Sequence, residues 1–271
     1  MNIGVFDSGL GGLTVLREFI AKLPQYHYVY LGDNARAPYG CRSQDAIFEY
    51  TCQAVRFLVE KKNCSLIILA CNTASSEALR RIQQEVLPKE YPGVRVLGVL
   101  IPTAEEAAIV SKKGVIGVVA TRGTVESGAY IRELTKLSSS VKIYQEPATL
   151  LVPLIEEGYS HNVETKRILK KYLMPLKHAH VDTLILGCTH YPILESDVRR
   201  VMGLHVELVS SGKASAVRLV EYLEKHKDIL EKLTKDGGQE YYTTDSPERF
   251  LELGRRVFHV QIEGVEKVEL V

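Results

Sequence analysis

Hydrophobic runs alternate with amphipathic stretches along most of the chain. Residues 65–70 and 183–187 are apolar on both faces, which is typical of strands buried in a parallel sheet. Residues 43–62 instead repeat apolar positions at the helical period, and Ser43 is the expected N-cap. This alternation predicts an α/β protein with a mostly parallel sheet and helices on its faces.

The same criteria place the other elements. Further strands are predicted at 2–6, 28–31, 94–99, 115–119, 141–144 and 240–244. Further helices are predicted at 13–23, from beyond 70 to about 86, and at 124–137, 149–157, 162–176, 192–202, 211–225, 227–235 and from 247. A turn is expected at 99–102, between the predicted domains.

Two pairs of segments form a weak internal repeat. Residues 3–12 align with 116–125, and residues 66–74 align with 183–191 at nearly the same separation. The repeat predicts two similar doubly wound, mostly parallel-sheet domains, related by a pseudo-two-fold axis with a cleft between them. The expected division is 1–98 plus 210–271 for the first α/β domain and 99–209 for the second.

Composition narrows the functional classes. The 271 residues carry a formal net charge of +1, whereas proteins that bind nucleic acids electrostatically are usually basic. No apolar run is long enough for a membrane helix, and the chain does not open with a signal-peptide pattern. The five cysteines are odd in number and lack a C-x-x-C pair, which disfavours a disulfide framework or a zinc site. We therefore expect a reduced, cytoplasmic protein with no nucleic-acid or membrane partner and no metal.

Cys71 and Cys188 each follow a predicted buried strand and precede a predicted helix. Ligands of open α/β sheets bind at the carboxyl ends of the strands, and the positive end of a helix dipole favours a thiolate. Two thiols on opposite sides of one carbon could remove a proton from one face and deliver another to the opposite face. The alternative is that both are small buried hydrophobic residues, as free cysteines commonly are.

The glycine-rich turn at residues 7–12 has a second interpretation as a dinucleotide loop. Thr14 stands where the third glycine of that fingerprint belongs, so the match fails.

Several hydroxyl groups lie near the predicted strand ends. Hydroxyl and backbone N–H groups can hold carboxylates without a strong cation. The candidate hydroxyls are those of Ser8, Thr73, Thr121, Thr124 and Thr189.

Five motifs extend this pattern over nearly the full length. They read FDSGLGG (6–12), DNARAPYG (33–40), ACNTAS (70–75), VPLIEEG (152–158) and GCTHYP (187–192). In order and spacing they resemble the glutamate racemases of the aspartate/glutamate racemase superfamily. The resemblance implies a cofactor-independent enzyme that interconverts L- and D-glutamate and supplies D-glutamate for peptidoglycan. It also allows a homodimer.

The resemblance also implies roles for individual residues. The two catalytic cysteines correspond to Cys71 and Cys188, with Asp7 as the auxiliary group beside the first thiol and Glu156 and His190 beside the second. The implied substrate contacts are Asp7, Ser8, Tyr39, Gly40, Asn72, Thr73, Thr189 and His190. Asp7 could hold the substrate ammonium group or tune Cys71, and the sequence leaves both roles open.

Three other functions compete with this expectation. A racemase for aspartate or another acidic amino acid is the nearest, although related aspartate enzymes typically carry an acid where His190 stands. A nucleotide- or amino-acid-binding module without catalysis is the second. A pyridoxal-phosphate racemase is the third, but the sequence singles out no lysine for the Schiff base.

Overall fold

A computed structural model describes all residues, 1–271. Its strands are β1 Asn2–Asp7, β2 Tyr28–Gly32, β3 Cys64–Leu69, β4 Arg95–Gly98, β5 Val115–Ala120, β6 Lys142–Pro147, β7 Thr183–Gly187, β8 Glu207–Ser210, β9 Gln239–Thr243 and β10 Glu266–Lys267. They form two parallel sheets, ordered β10-β9-β2-β1-β3-β4 and β6-β5-β7-β8. The predicted fold class, two parallel-sheet α/β domains, is confirmed.

The internal repeat has a counterpart in the strand order. In the first sheet β1 lies between β2 and β3, with β4 beyond β3. In the second sheet β5 likewise lies between β6 and β7, with β8 beyond β7. The segments aligned in the sequence fall on β1 with β5 and on β3 with β7, so the repeat reflects equivalent strands. The exact domain boundaries stay a prediction.

Helices cover the faces of both sheets. The α-helices are Leu13–Lys22, Gln44–Glu60, Asn72–Glu77, Leu79–Arg81, Leu87–Glu90, Leu100–Val110, Arg122–Glu126, Ala129–Leu137, Leu151–Glu156, Val163–His178, Glu195–Met202, Ser211–Lys225, Lys227–Leu230 and Pro247–Arg256. The 3₁₀ turns are Asn34–Arg36, Tyr39–Cys41 and Tyr191–Leu194, and Ile82–Val86 is a π-helical turn. None of the helices has both the length and the apolar character needed to cross a membrane.

Serine side chains cap two of the helices, and the predicted cap at Ser43 is confirmed. The Ser43 side chain accepts a hydrogen bond from the backbone N–H of Ala46. Ser246 accepts in the same way from the N–H of Arg249, ahead of Pro247. Each cap satisfies a backbone donor that has no partner within its helix.

Several predicted elements were wrong in extent. The helix predicted at 124–137 is divided, because Gly128 adopts a left-handed conformation with φ +63°. The turn predicted at 99–102 is the start of the helix Leu100–Val110, since proline is tolerated in a first helical turn. The charged helix predicted at 227–235 ends at Leu230. The helix predicted to run to about residue 86 is interrupted after Glu77 and contains the π-helical turn.

Candidate active site

Cys71 lies just beyond the carboxyl end of β3, where it caps the helix Asn72–Glu77. Its Sγ accepts from the backbone N–H of Ala74 at 3.5 Å and lies 3.5 Å from the hydroxyl oxygen of Ser8. Since β1 pairs with β3, the residues that end β1 lie beside this thiol. The fold therefore places Asp7 and Ser8 against Cys71, as the sequence predicted.

The expectation that a helix dipole lowers the pKa of Cys71 was wrong. Burial raises the pKa of the thiol to about 12, and the negative charge of Asp7 adds to the rise. The hydrogen bonds that Cys71 forms with Ser8 and Ala74 act in the opposite direction but do not compensate. The helix has only six residues, and removing the charged form from water costs more than its end can return.

Asp7 is fully buried and links the two halves of the molecule. One carboxylate oxygen accepts from the N–H of Gly9 at 3.0 Å, and the other accepts from the hydroxyl of Thr189 at 3.3 Å. Burial raises the pKa of Asp7, although His190 and these hydrogen bonds lower it in part. A carboxylate of the first half is thus held by the strand-end loop of the second half.

Cys188 follows β7 and belongs to a chain of three groups. Its Sγ lies 3.8 Å from Nδ1 of His190, and Nε2 of His190 lies 2.9 Å from a carboxylate oxygen of Glu156. The first helical turn after Cys188 begins only at Tyr191, so the partner of this thiol is the imidazole and not a helix end. Phe258 packs edge-on against the ring of His190 at a centroid distance of 5.5 Å.

The groups on either side of His190, Cys188 and Glu156, favour an imidazolium ion at neutral pH. Burial lowers the pKa of His190, but the hydrogen bonds to Cys188 and Glu156 outweigh it and raise the pKa to about 10. Burial raises the pKa of Glu156. The hydrogen bond from His190 lowers it by more and leaves it below its usual value. The ring that carries this charge lies 3.8 Å from the Cys188 sulfur.

The two thiols are close enough to affect each other. The charge of Cys188 contributes to the raised pKa of Cys71, and both side chains are nearly buried, with exposures of 5 % for Cys71 and 6 % for Cys188. The structure thus brings together one thiol from the carboxyl end of each sheet. The placement of both thiols at strand ends agrees with the sequence analysis, and their position on either side of a single ligand stays a prediction.

The glycine-rich turn after β1 makes room for the opposite half. A Cβ atom on Gly11 would lie 2.2 Å from Oγ1 of Thr189 and 2.4 Å from Nδ1 of His190. The hydroxyl of Thr14 donates to the carbonyl of Thr189 at 2.8 Å. The turn that fails as a dinucleotide loop is therefore a contact surface between the halves.

Three predicted threonines meet at the boundary, by which we mean the surface where the two halves of the molecule face each other. Oγ1 of Thr73 lies 2.9 Å from Oγ1 of Thr121 and 3.3 Å from Oγ1 of Thr124. A Cβ on Gly40 would lie 2.7 Å from Cβ of Thr121, so this position also requires a small residue. The hydroxyls form a polar cluster beside Asn72, and their binding of a carboxylate stays a prediction.

Tyr39 is placed differently from the other predicted contacts. Its ring is buried against Phe6 and Tyr50, and its hydroxyl donates to the carboxylate of Asp33. Asp33 also accepts from Arg36 at 2.7 Å. The Tyr39 hydroxyl is therefore engaged by Asp33, and the backbone at Gly40 is the part of this turn that meets Thr121 of the other half.

Sequence reasoning missed two residues that contact Asn72. The hydroxyls of Tyr130 and Ser211 both donate to Oδ1 of Asn72. They lie on helices far apart in the sequence, so no local motif indicates that they contact Asn72. Nowhere in the chain do three or more His, Cys, Asp or Glu side chains group as ligands for a metal ion.

A cavity of about 240 Å³ opens beside Glu156. Both halves line it: Leu10 and Pro38 come from the first, and Pro153 and Glu156 from the second. Glu156 therefore separates the buried His190 from open space.

Comparison with known proteins identifies the family of the chain. The model of the Asp/Glu/Hydantoin racemase family matches residues 7–219. The chain belongs to this family. It is 40 % identical to a glutamate racemase of Sulfurihydrogenibium over 100 % of this chain and 98 % of that protein. The resemblance to glutamate racemases that the motifs indicated is thus confirmed.

Solved structures give the same result for the fold of this racemase. A glutamate racemase isoform from Bacillus anthracis superposes with a TM-score of 0.90 at 36 % identity, covering 99 % of this chain and 97 % of that one. A glutamate racemase from Francisella tularensis in complex with D-glutamate has a TM-score of 0.87 at 32 % identity, with the same coverage. Both proteins are similar over their whole length, so the likeness includes both halves of the site.

Proposed function

We propose that this racemase interconverts L- and D-glutamate by proton transfer at the α-carbon, with Cys71 and Cys188 as the two acid–base groups and no cofactor. One observation carries the proposal: the two sheets deliver one buried thiol each to a shared boundary, and each thiol has its own carboxylate. The glutamate racemases that match over the whole length support the choice of substrate.

The two sides differ in charge, and this suggests how a cycle begins. The Cys188 thiol has the His190 imidazolium beside it, whereas burial and Asp7 raise the pKa of Cys71, so we assign the first proton removal to Cys188. The Cys188 thiolate would take the α-proton, and the electron pair of the broken C–H bond would pass towards the α-carboxylate. Cys71 would then give its proton to the opposite face of the same carbon.

The reverse reaction uses the same groups in exchanged protonation states. After one turnover Cys71 is the thiolate and Cys188 the thiol. The ammonium group of a bound amino acid, placed near Asp7 and Cys71, would offset the burial that raises both pKa values. Oriented hydroxyls at the boundary, those of Thr73 and Thr189 among them, would stabilise the charge that develops on the carboxylate.

We extend the proposal to the role that the resemblance implies, which is cytoplasmic supply of D-glutamate for peptidoglycan. The homodimer stays a prediction.

Isotope exchange tests the substrate assignment. The purified protein is incubated in D₂O with L-glutamate, D-glutamate or L-aspartate, and α-deuteration and optical inversion are followed by NMR and by chiral chromatography. We expect exchange and inversion with both glutamate enantiomers and little with aspartate. Faster turnover of aspartate would reassign the substrate, and no exchange with any of the three would reject the function.

A further inference from the structure

The carboxamide of Asn72 has one satisfied and one unsatisfied end. Its side chain is almost buried, with the residue 2 % exposed. Oδ1 accepts from the hydroxyl of Tyr130 at 2.8 Å and from that of Ser211 at 3.2 Å. Nδ2 has no hydrogen-bond partner, so both of its N–H donors are free.

A buried donor without a partner is destabilising, and each such group in a folded protein calls for a specific explanation, such as a ligand that it binds. The amide is planar, so two hydroxyls that hold Oδ1 also fix the direction of Nδ2. Asn72 directly follows Cys71, which places this free donor beside the predicted acid–base thiol.

Three separate elements converge on this one amide. Asn72 begins the helix after β3, Tyr130 lies in Ala129–Leu137, and Ser211 begins Ser211–Lys225. Burial raises the pKa of Tyr130, and the nearby Cys188 adds to the rise, so the hydroxyl keeps its proton and remains a donor. Tyr130 therefore stands near the second thiol while it orients an amide attached beside the first.

We propose that Tyr130 and Ser211 are positioning residues that hold Asn72 by its Oδ1, so that its Nδ2 donates to a carboxylate of the bound amino acid. The inference rests on the proposed function, because it requires an acidic amino acid at this boundary. Neither residue needs to touch the substrate. Their effect passes through Asn72 alone.

A double-mutant cycle tests this dependence. The variants are Tyr130→Phe, Ser211→Ala, Asn72→Ala and Tyr130→Phe with Asn72→Ala, assayed for racemisation of both glutamate enantiomers. We expect Tyr130→Phe to raise KM about tenfold and change kcat by about twofold or less, because it loosens binding of the ground state and the transition state alike. In the Asn72→Ala background the same change should add almost nothing.

A matched control is available in the other half. Tyr28 is also a buried tyrosine, and its hydroxyl donates to the carbonyl of Leu23 at 3.0 Å. Tyr28→Phe removes a comparable hydrogen bond and should leave KM unchanged. Ser211→Ala gives a second route if Tyr130→Phe is unstable, with an expected rise in KM of about threefold.

The outcomes separate this proposal from the proposed function. A wild-type protein that racemises glutamate, with losses from Tyr130→Phe and Asn72→Ala that simply add, would overturn the positioning role alone. The positioning role would also be overturned if Tyr130→Phe lowered kcat and left KM unchanged. A wild-type protein inactive on glutamate would overturn the proposed function and this inference with it.

Discussion

The two thiols sit in equivalent places of two similar sheets, yet their surroundings oppose each other. Cys71 has a buried carboxylate beside it and a pKa raised to about 12. Cys188 has an imidazole 3.8 Å away whose own pKa is raised to about 10. The repeated fold therefore places the two thiols equivalently but does not determine their surroundings. The residue types near each strand end set the charges that surround each thiol.

The largest expected effect comes from removing either thiol. Cys71→Ala and Cys188→Ala should each lower racemisation by about 10³-fold or more, because inversion needs a group on both faces. Each variant should still eliminate a β-leaving group from a suitable glutamate analogue, and the two variants should prefer opposite enantiomers. Chiral analysis of the remaining analogue measures this preference.

Cys52→Ala is the matched control for these variants, because Cys52 is a half-buried cysteine in the helix Gln44–Glu60 whose charged neighbours are Arg56 and Glu90. It should racemise glutamate at the wild-type rate. Unimpaired racemisation in either of the other two variants would remove the two-thiol account.

A smaller loss is expected from filling the contact between the halves. Gly11→Ala places a methyl group where Thr189 and His190 now lie, at 2.2 Å and 2.4 Å. The halves must then separate, and a displacement of about 1 Å is enough to cost roughly 10²-fold in kcat/KM. Steady-state kinetics measures the loss.

Gly93→Ala provides the comparison for Gly11→Ala, since no atom lies within 4 Å of a Cβ at Gly93. It should leave kcat/KM unaltered. Equal activity of the two alanine variants would show that close apposition of the halves is dispensable.

The smallest effect should appear mainly as a change in pH dependence. Glu156→Gln removes a negative charge that helps to keep His190 protonated, so the pKa of His190 should fall from about 10. In the wild type the imidazolium persists until the pH rises through that value. The alkaline decline of kcat/KM should therefore begin at lower pH in the variant, with a loss of about tenfold near neutrality.

Glu157→Gln is the control for this shift. Glu157 is the next residue but is exposed, and it pairs only with Arg249. Its pH profile should coincide with that of the wild type. An unshifted profile in Glu156→Gln would mean that the carboxylate does not set the state of His190.

Sequence patterns predicted the parts of the fold that depend on local composition. The strands at 65–70 and 183–187 were clear because both faces are apolar, and they coincide with β3 and β7. The strand Glu207–Ser210 was missed, since it has only four residues and its first is exposed. The helix Leu100–Val110 was missed because Pro102 also fits a turn.

The candidate site shows the same division. The motifs identified both thiols and their carboxylates, and the structure brings these together at one boundary. Tyr130 and Ser211 carried no signal, because their function depends on a contact with Asn72 that only the folded chain creates. The raised pKa of Cys71 was likewise unforeseen, because burial depends on both halves closing over the thiol.

A crystal structure with bound glutamate tests the central claim most directly. The quantities to measure are the distances from the α-carbon to the two sulfur atoms and the faces that those sulfurs approach. The account predicts both sulfurs roughly 3.5 Å from that carbon, on opposite faces. Two sulfurs on the same face, or one held beyond reach of the carbon in the closed complex, would contradict it.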